Sequence, residues 1–155
     1  MVFADEHDFK LYPELTNSEL ADFGFVSPHP QIEEDFFAVV TKVHDGDTVT
    51  LRCDFRDFSF PLRFLSVDAP ELNTGAPGEE ARDFVKGLCE GDEVQIKINK
   101  DNRVDKYGRL LGDIVAGGVN VSDALLTFGY AWPFERRLEG EIPNLDKTLA
   151  VKQWF

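Results

Sequence analysis

The amino-acid sequence predicts one α+β domain that is mainly β, in which short strands close into a barrel carrying two to three helices. Three observations point to this class. The chain has 155 residues, 43% of them hydrophobic and 14 of them Phe, which suffices for a single core. From residue 36 onward, apolar residues alternate in short runs typical of strands. Two segments instead repeat apolar residues every three to four positions, as amphipathic helices do.

The first three strands follow one another closely. Residues 36–43 are rich in β-formers, and Asp45-Gly46 is a strong signal for a two-residue hairpin turn. The return strand, residues 48–53, alternates apolar and polar side chains. A third run covers residues 58–67 and contains Pro61, which indicates an edge or a bulge.

A helix and two further strands come next. Residues 79–90 place their apolar side chains on one face, and Gly91 marks the C-terminal stop. Strands are predicted over residues 94–99 and 110–115. Five short strands with a helix after the third are typical of a Greek-key barrel of the OB type.

The second helix follows a glycine turn. Gly117-Gly118 closes the last strand, and Asn120 or Ser122 is placed to cap a helix that ends at Gly129.

The first 35 residues differ in composition, and we expect them to form an acidic arm packed on the domain of residues 36–155. Residues 1–38 hold nine acidic side chains and one basic side chain. Asn17 or Ser18 could cap a short third helix over residues 17–23. Apolar side chains recur through the arm, as expected of a packed segment: Phe9, Leu11, Tyr12, Leu15, Phe23 and Phe25.

Composition limits the function classes. The net charge of −13 disfavours tight non-specific binding of duplex nucleic acid, because such binding needs a basic surface. Acidic side chains that form a metal site would instead bind a cation. No apolar run reaches the ~18 residues of a membrane span.

The N-terminal stretch and the cysteines indicate a compartment. MVFADEHDFK is acidic and lacks the basic and apolar regions of a secretory signal. This favours a cytoplasmic protein, with a secreted mature form as the alternative. Separately, we expect the protein to be a monomer. Cys53 and Cys89 are expected to be free thiols, since one pair is no disulfide framework and two cysteines are too few for structural zinc.

Two acidic segments lie at strand ends, where a barrel can bring them together. Residues 45–48 (DGDT) close the first hairpin, and residues 68–71 (DAPE) follow the third strand. Three carboxylates with no His or Cys nearby, those of Asp47, Asp68 and Glu71, suit Ca²⁺ or Mg²⁺ rather than zinc. The plainer alternative is that these residues only make a turn and end a strand.

Two arginines point to phosphate chemistry. Arg63 lies in the third strand, and Arg109 lies in a loop that begins at Asp105. A guanidinium offers a rigid fork of N–H donors that matches two phosphate oxygens. In an ideal strand Arg63 and Asp68 face opposite sides, so a bulge or bend must bring them together. The alternative is a pair of solvated surface arginines.

Five blocks of sequence share one order: VHDGDTVTL (43–51), LRFLSVDAPE (62–71), GEEARDF (78–84), DKYGRLLGDI (105–114) and VNVSDALLTFGYAW (119–132). Together they resemble the staphylococcal nuclease (thermonuclease) family over about residues 38–132. One DGDT string would be weak evidence, whereas five ordered blocks are specific. The resemblance implies a five-stranded OB barrel that hydrolyses phosphodiester bonds of DNA, RNA or both with Ca²⁺, with single strands preferred.

The resemblance also implies a metal and a base. Asp47 and Asp68 match the carboxylates that ligate Ca²⁺, and the backbone carbonyl of Ala69 matches the third protein oxygen. Glu71 matches the residue that orients or deprotonates the attacking water.

Substrate contacts are implied in the same way. Arg63 and Arg109 match the arginines that hold the scissile phosphate. Lys106 and Tyr107 match donors to the neighbouring phosphate. The sequence departs from the family after the last helix, where tyrosines that stack on a base are replaced by other aromatic residues: Trp132 and Phe134.

Other departures concern the substrate-gripping surface. Residues 72–80 (LNTGAPGEE) are shorter than the family loop and lack its lysines, and the acidic arm has no counterpart in the family core. Two other functions therefore stay open. One is a non-catalytic OB-fold module that binds nucleic acid or protein. The other is a structural or regulatory part of a larger assembly, with the arm as its docking element.

Overall fold

The computed structural model describes residues 13–17, 30–105 and 108–134. Two of the predicted substrate contacts, Lys106 and Tyr107, lie outside the described residues. So do residues 18–23 of the expected N-terminal helix.

The strands close into a barrel, as predicted. They are β1 (Phe36–Asp45), β2 (Thr48–Cys53), β3 (Arg56–Phe64), β4 (Val67–Asp68), β5 (Glu93–Lys97), β6 (Leu110–Ala116), β7 (Val119–Asn120) and β8 (Trp132–Pro133). The sheet order is β3-β2-β1-β5-β6, and a further pairing of β3 with β6 completes the ring. That last pairing is parallel and matches Arg63 with Leu111, whereas the β1–β2, β2–β3, β1–β5 and β5–β6 pairings are antiparallel.

Two α-helices and one 3-10 helix complete the described elements: α1 (Ala76–Cys89), α2 (Val121–Thr127) and the 3-10 helix Leu72–Thr74. The start of α1 lies three residues before the predicted one, because Pro77 is tolerated in a first turn, whose N–H groups have no partner within the helix. Asn120 caps α2 as predicted, its side chain accepting a hydrogen bond from the Asp123 N–H. None of the described helices is long and apolar enough to span a membrane.

The third strand ends earlier than predicted. We expected a continuous strand over residues 58–67, but β3 stops at Phe64 and the chain resumes as β4, which pairs with β8. At the bend of residues 65–66, Ser66 leaves the β3–β6 ladder. Its N–H and its hydroxyl both donate to the Asp113 carboxylate, at 3.4 and 2.6 Å, and its carbonyl accepts from the Phe134 N–H at 3.0 Å.

The first hairpin is shifted by one residue. The sequence indicated a turn at Asp45-Gly46, whereas Asp45 pairs with Thr48 and the turn residues are Gly46 and Asp47. Asp45 Oδ1 accepts a hydrogen bond from the Asp47 N–H at 3.1 Å, which is an Asx-type turn. As a result, Asp47 lies in the turn itself.

The two cysteines are free thiols, as expected. Both are buried, Cys53 at the end of β2 and Cys89 at the end of α1. Burial, reinforced by two nearby carboxylates, raises the pKa of the Cys89 thiol to about 12, so this sulfur is unreactive near neutral pH.

A buried charge cluster joins the arm to the barrel. The Glu14 carboxylate is completely buried and forms an ion pair with Arg56, with 2.8 Å between Oε1 and Nη1. The angles of this contact lie outside hydrogen-bond geometry. Arg103 lies on the other side, with 4.0 Å between its Nη2 and Glu14 Oε2. Burial raises the pKa of Glu14, and the two guanidiniums oppose that shift. Removing one partner of such a cluster typically costs about 3–5 kcal/mol.

Small residues bring α1 against the first hairpin. A β-carbon added to Gly46 would lie 2.6 Å from Ala69 Cβ and 2.7 Å from Ala81 Cβ. The hairpin, the segment after β4 and α1 therefore meet at one point that has no room for a methyl group.

Gly46→Ala should destabilise the protein by about 1–3 kcal/mol, because the added methyl group overpacks this contact. The matched control is Gly87→Ala in α1, where a β-carbon meets nothing within 4 Å. That change should stabilise by about 0.5–1 kcal/mol, since alanine favours a helix. Urea unfolding followed by circular dichroism measures both, and equal stability of the two variants would contradict the packing account.

Candidate active site

The two acidic segments meet at one end of the barrel. The Ala69 N–H donates to Asp47 Oδ2 at 2.9 Å, and Thr48 Oγ1 donates to Asp47 Oδ1 at 3.0 Å. Asp47 and Asp68 are each only 7% exposed. The turn that carries Asp47 is thereby fixed against the residue that follows Asp68.

Arg63 lies between the two carboxylates. Its Nη2 contacts Asp68 Oδ1 and is 3.3 Å from Asp47 Oδ2. Its Nη1 donates to two backbone carbonyls, Phe64 O at 2.6 Å and Val67 O at 2.8 Å. The break between β3 and β4 is the bend that the sequence required, and the guanidinium fills the inside of that bend.

Burial controls the charge of Asp47. Burial raises the pKa of this carboxyl to about 6, the neighbouring Arg63 guanidinium opposes the shift, and the charge of Asp45 adds to it. A carboxylate that is costly to keep charged gains more than an exposed one from an added cation.

The backbone of Glu71 is fixed by hydrogen bonds and packing, whereas its side chain is exposed. Its carbonyl accepts hydrogen bonds from Thr74 N at 3.0 Å and Thr74 Oγ1 at 2.6 Å. A β-carbon on Gly78 would lie 2.1 Å from that carbonyl oxygen, so α1 packs directly on this peptide. The side chain of Glu71 is exposed. It therefore points into solvent from a fixed backbone.

The predicted cluster of three carboxylates is not formed. Within residues 13–17, 30–105 and 108–134, no group of three or more His, Cys, Asp or Glu side chains is placed to hold a metal ion. Glu71 stays apart because it begins the turn into the 3-10 helix Leu72–Thr74. Two carboxylates, Asp47 and Asp68, do converge on one cationic group. That set fits a hard cation such as Ca²⁺ or Mg²⁺ whose remaining ligands are water and phosphate oxygens.

Arg109 is fixed by its own loop. Asp105 Oδ1 accepts from the Arg109 N–H at 2.9 Å, and Asp105 Oδ2 accepts from Arg109 Nε at 2.7 Å. Val104 bridges Leu110 at the base of the loop, and Gly108 adopts a positive φ of 93°. These two bonds fix both the backbone and the side chain of Arg109 against Asp105.

The two arginines line one cleft. It has a volume of about 630 Å³, and its lining includes Arg63, Asp68, Asp105, Arg109 and Phe134. Positive groups from β3 and from the loop before β6 therefore face the same space, with one of the metal-binding candidates at its edge.

The two predicted stacking residues differ in their placement. Phe134 is 56% exposed, and Arg63 Cζ lies 5.9 Å from the centre of its ring. Trp132 is only 6% exposed and lies opposite Asp68 in the β4–β8 ladder. Phe134 thus offers a stacking surface in the cleft. Trp132 does not, because β8 turns its side chain into the protein to cover β4.

Asp113 supports the site and was missed by the sequence analysis. Its carboxylate accepts from Ser66 Oγ at 2.6 Å and from Ser122 Oγ at 2.7 Å, which ties the β3–β4 break to the start of α2. The available signal was an acid inside the apolar run LLGDIVA of β6. An acid in the middle of a barrel strand needs partners, and here the partners are two hydroxyls.

The sequence matches one known protein family from β3 onward. The family described as Staphylococcal nuclease homologue matches residues 61–152, which is more than half of the chain. The chain belongs to the staphylococcal nuclease family. The match covers Arg63, Asp68, Glu71 and Arg109, and the barrel described above is the fold that this membership implies.

Relatives from a bacterium and a plant are also named as nucleases. Endonuclease YhcR of Bacillus subtilis (strain 168) is 33% identical over 123 residues, which cover 68% of this chain and 10% of YhcR. Endonuclease YncB of the same organism is 32% identical over 111 residues, covering 68% of this chain and 52% of YncB. The probable staphylococcal-like nuclease CAN1 of Oryza sativa subsp. japonica is 32% identical over 76 residues, covering 48% of this chain and 22% of CAN1. The chain thus spans from a tenth to about half of the length of these relatives.

Asp47→Asn should stabilise the metal-free protein at pH 7.5 by on the order of 2 kcal/mol, because it removes a buried charge. The folded protein binds the Asp47 proton with a pKa of about 6, against an ordinary value of 3.8. Wild-type stability therefore rises as the pH falls through this window, and the advantage of the asparagine variant should shrink towards pH 4.

Urea unfolding in EDTA at pH 7.5, 6 and 4.5 measures this difference. Asp57→Asn, at an exposed position of β3, is the control and should change stability by less than about 0.5 kcal/mol. An Asp47→Asn variant that is less stable than wild type at every pH would contradict the view that the buried, ionised Asp47 carboxylate destabilises the fold.

Proposed function

We propose that this member of the family is a Ca²⁺-dependent nuclease that hydrolyses phosphodiester bonds of DNA, RNA or both. The observation that carries the proposal is the convergence of Asp47 and Asp68 on Arg63, at the edge of a cleft that also contains Arg109. It would combine a place for a hard cation with two guanidiniums that could bind phosphate.

Asp47 and Asp68 would hold the ion, together with the backbone carbonyl of Ala69. Both carboxylates are nearly buried, and Asp47 is fixed by bonds from Thr48 and Ala69. When bound, the ion supplies Lewis-acid polarisation of a phosphate oxygen and a template for the attacking water. Oxygen-only donors are the reason to propose Ca²⁺ rather than zinc.

Arg63 and Arg109 would stabilise the negative charge that develops on the phosphate. Each guanidinium is oriented before substrate binds, Arg63 by two carbonyls and Arg109 by Asp105. Donors that are oriented in advance stabilise a transition state without a reorganisation cost, and this is often the largest catalytic term.

Glu71 would orient the attacking water or take its proton. Its carboxylate is exposed, and α1 holds its backbone in place. A positioned carboxylate base contributes about 10²–10⁴-fold to such a reaction.

The substrate is proposed to be single-stranded and bound by one protein chain. The net charge of −13 works against duplex binding, whereas Phe134 offers an exposed ring on which one base can stack. Lys106 and Tyr107, which lie outside the described residues, are proposed to contact the neighbouring phosphate.

The deciding experiment measures cleavage of end-labelled single-stranded DNA, RNA and duplex DNA by the full chain. The ions compared are Ca²⁺, Mg²⁺, Mn²⁺ and Zn²⁺, each followed by EDTA. We expect cleavage with Ca²⁺ that EDTA abolishes, fastest on single strands. Substrate binding without any product would contradict the enzyme and favour a binding module.

Arg109→Ala and Arg63→Ala should each lower kcat by about 10² or more, since both groups act on the transition state. The control is Arg52→Ala, which removes an exposed arginine of β2. Steady-state cleavage kinetics at saturating Ca²⁺ measure the effect. An Arg109→Ala variant with kcat within twofold of wild type would remove this residue from the site.

Phe134→Ala should raise KM for a single-stranded oligonucleotide by about tenfold, because a base–aromatic stack contributes roughly 1–3 kcal/mol. Phe37→Ala is the matched control, because Phe37 is 63% exposed on β1 and does not line the cleft. Equal KM values for the two variants would show that no base stacks on Phe134.

A further inference from the structure

Glu14 of the arm is bound to the loop that carries Arg109. We define the Arg109 loop as residues 99–105 and 108–109, and the arm segment as residues 13–17. Arg103 of this loop is one of the two guanidiniums beside the buried Glu14 carboxylate. The Glu14 N–H also donates to the carbonyl of Gly108, the residue before Arg109, at 3.2 Å.

Further bonds join the same two pieces of chain. Asn17 Nδ2 donates to the carbonyl of Lys100 at 2.9 Å. Arg103 Nη1 donates to the Leu15 carbonyl and to Asn17 Oδ1, both at 3.1 Å. The arm segment therefore holds the loop near its beginning, at its middle and directly before Arg109.

Residues 30–32 hold the cluster from a second side. Arg103 Nε donates to the Ile32 carbonyl at 2.7 Å, and Arg56 Nη2 donates to the Pro30 carbonyl at 2.8 Å. The two guanidiniums thus bind backbone from both described parts of the arm. Because Arg56 begins β3 and Arg103 belongs to the loop, the arm connects the loop to the barrel wall.

The loop in turn forms part of the cleft. Asn102, Val104 and Asp105 line it beside Arg109, and Asp105 grips the Arg109 side chain. Exposed loops are mobile unless they are tied down. Misplacement of a phosphate-binding group by about 1 Å can cost 10²-fold in rate.

We propose that the arm segment is a positioning element of the active site, in which Glu14 anchors the Arg109 loop so that Arg109 faces the cleft. This inference rests on the proposed function, since it takes Arg109 as a phosphate-binding residue. Glu14 is a positioning residue: it touches no substrate and acts through Arg103 and Gly108.

The test is a double-mutant cycle in the full chain between Glu14→Gln and Arg109→Ala. Glu14→Gln keeps the shape of the side chain and removes the charge that binds both guanidiniums. We expect kcat to fall by at least about tenfold with the Arg109 side chain present. In the Arg109→Ala background the same change should alter kcat by less than about twofold, because the group it positions is gone.

Glu34→Gln is the matched control, because Glu34 is an exposed acid of the same arm. It should leave kcat within about twofold in both backgrounds. All kinetics are measured at a temperature where circular dichroism shows each variant folded. An equal loss from Glu14→Gln in both backgrounds, or no loss in either, would overturn the proposal.

If Glu14→Gln does not fold, Asn17→Ala replaces it in the same cycle. The Asn17→Ala change removes the bonds to Lys100 and Arg103 and leaves the ion pairs of Glu14 intact. A smaller loss, about threefold, with the same dependence on Arg109 is expected.

Hydrogen–deuterium exchange of peptides covering residues 99–109 separates this inference from the proposed function. Faster exchange in Glu14→Gln than in Glu34→Gln supports the anchoring role whether or not the wild type cleaves nucleic acid. Unchanged exchange overturns it. A wild type that cleaves nothing but shows this exchange difference contradicts only the proposed function.

Discussion

The contact on which the site depends is the Arg63 guanidinium between two nearly buried carboxylates. Asp47 and Asp68 carry like charges, and bringing them together out of water is unfavourable unless a cation lies between them. The same guanidinium binds the carbonyls of Phe64 and Val67 and so fixes the bend between β3 and β4. One side chain thus balances the charge of the site and shapes the backbone that presents it.

The second constraint is that α1 must lie very close to the backbone of the first hairpin and of the segment after β4, which only small residues at the contact allow. Gly46 contacts Ala69 and Ala81, while Gly78 lies directly on the carbonyl of Glu71. A hairpin turn, the segment after β4 and α1 therefore lie in close contact, and the Ala69 N–H bond to Asp47 Oδ2 adds a polar contact between the first two. The positions of the candidate ligands and of the candidate base are consequently set by the core packing of α1, which ties catalytic geometry to stability.

Local patterns predicted most of the fold and only part of the site. Alternation and caps identified the five barrel strands and both helices, because those signals lie within a few residues of each other. The early end of β3 depends on Asp113, 47 residues away from Ser66, and the anchoring of Glu14 depends on Arg103. Sequence spacing does not predict such long-range contacts, since the partners meet only when the barrel closes. For Trp132 the sequence left stacking and burial as alternatives, and the pairing of β8 with β4 decides for burial.

The parallel pairing of β3 with β6 has a consequence for the two arginines of the candidate site. It joins two segments almost fifty residues apart and matches Leu62 with Leu110 and Arg63 with Leu111. The step that seals the barrel is therefore also the step that brings the strand of Arg63 beside the residues that follow Arg109. A nascent or partly unfolded chain has both arginines but not their juxtaposition. Activity of the proposed kind would therefore require the closed barrel, and not only the presence of both arginines.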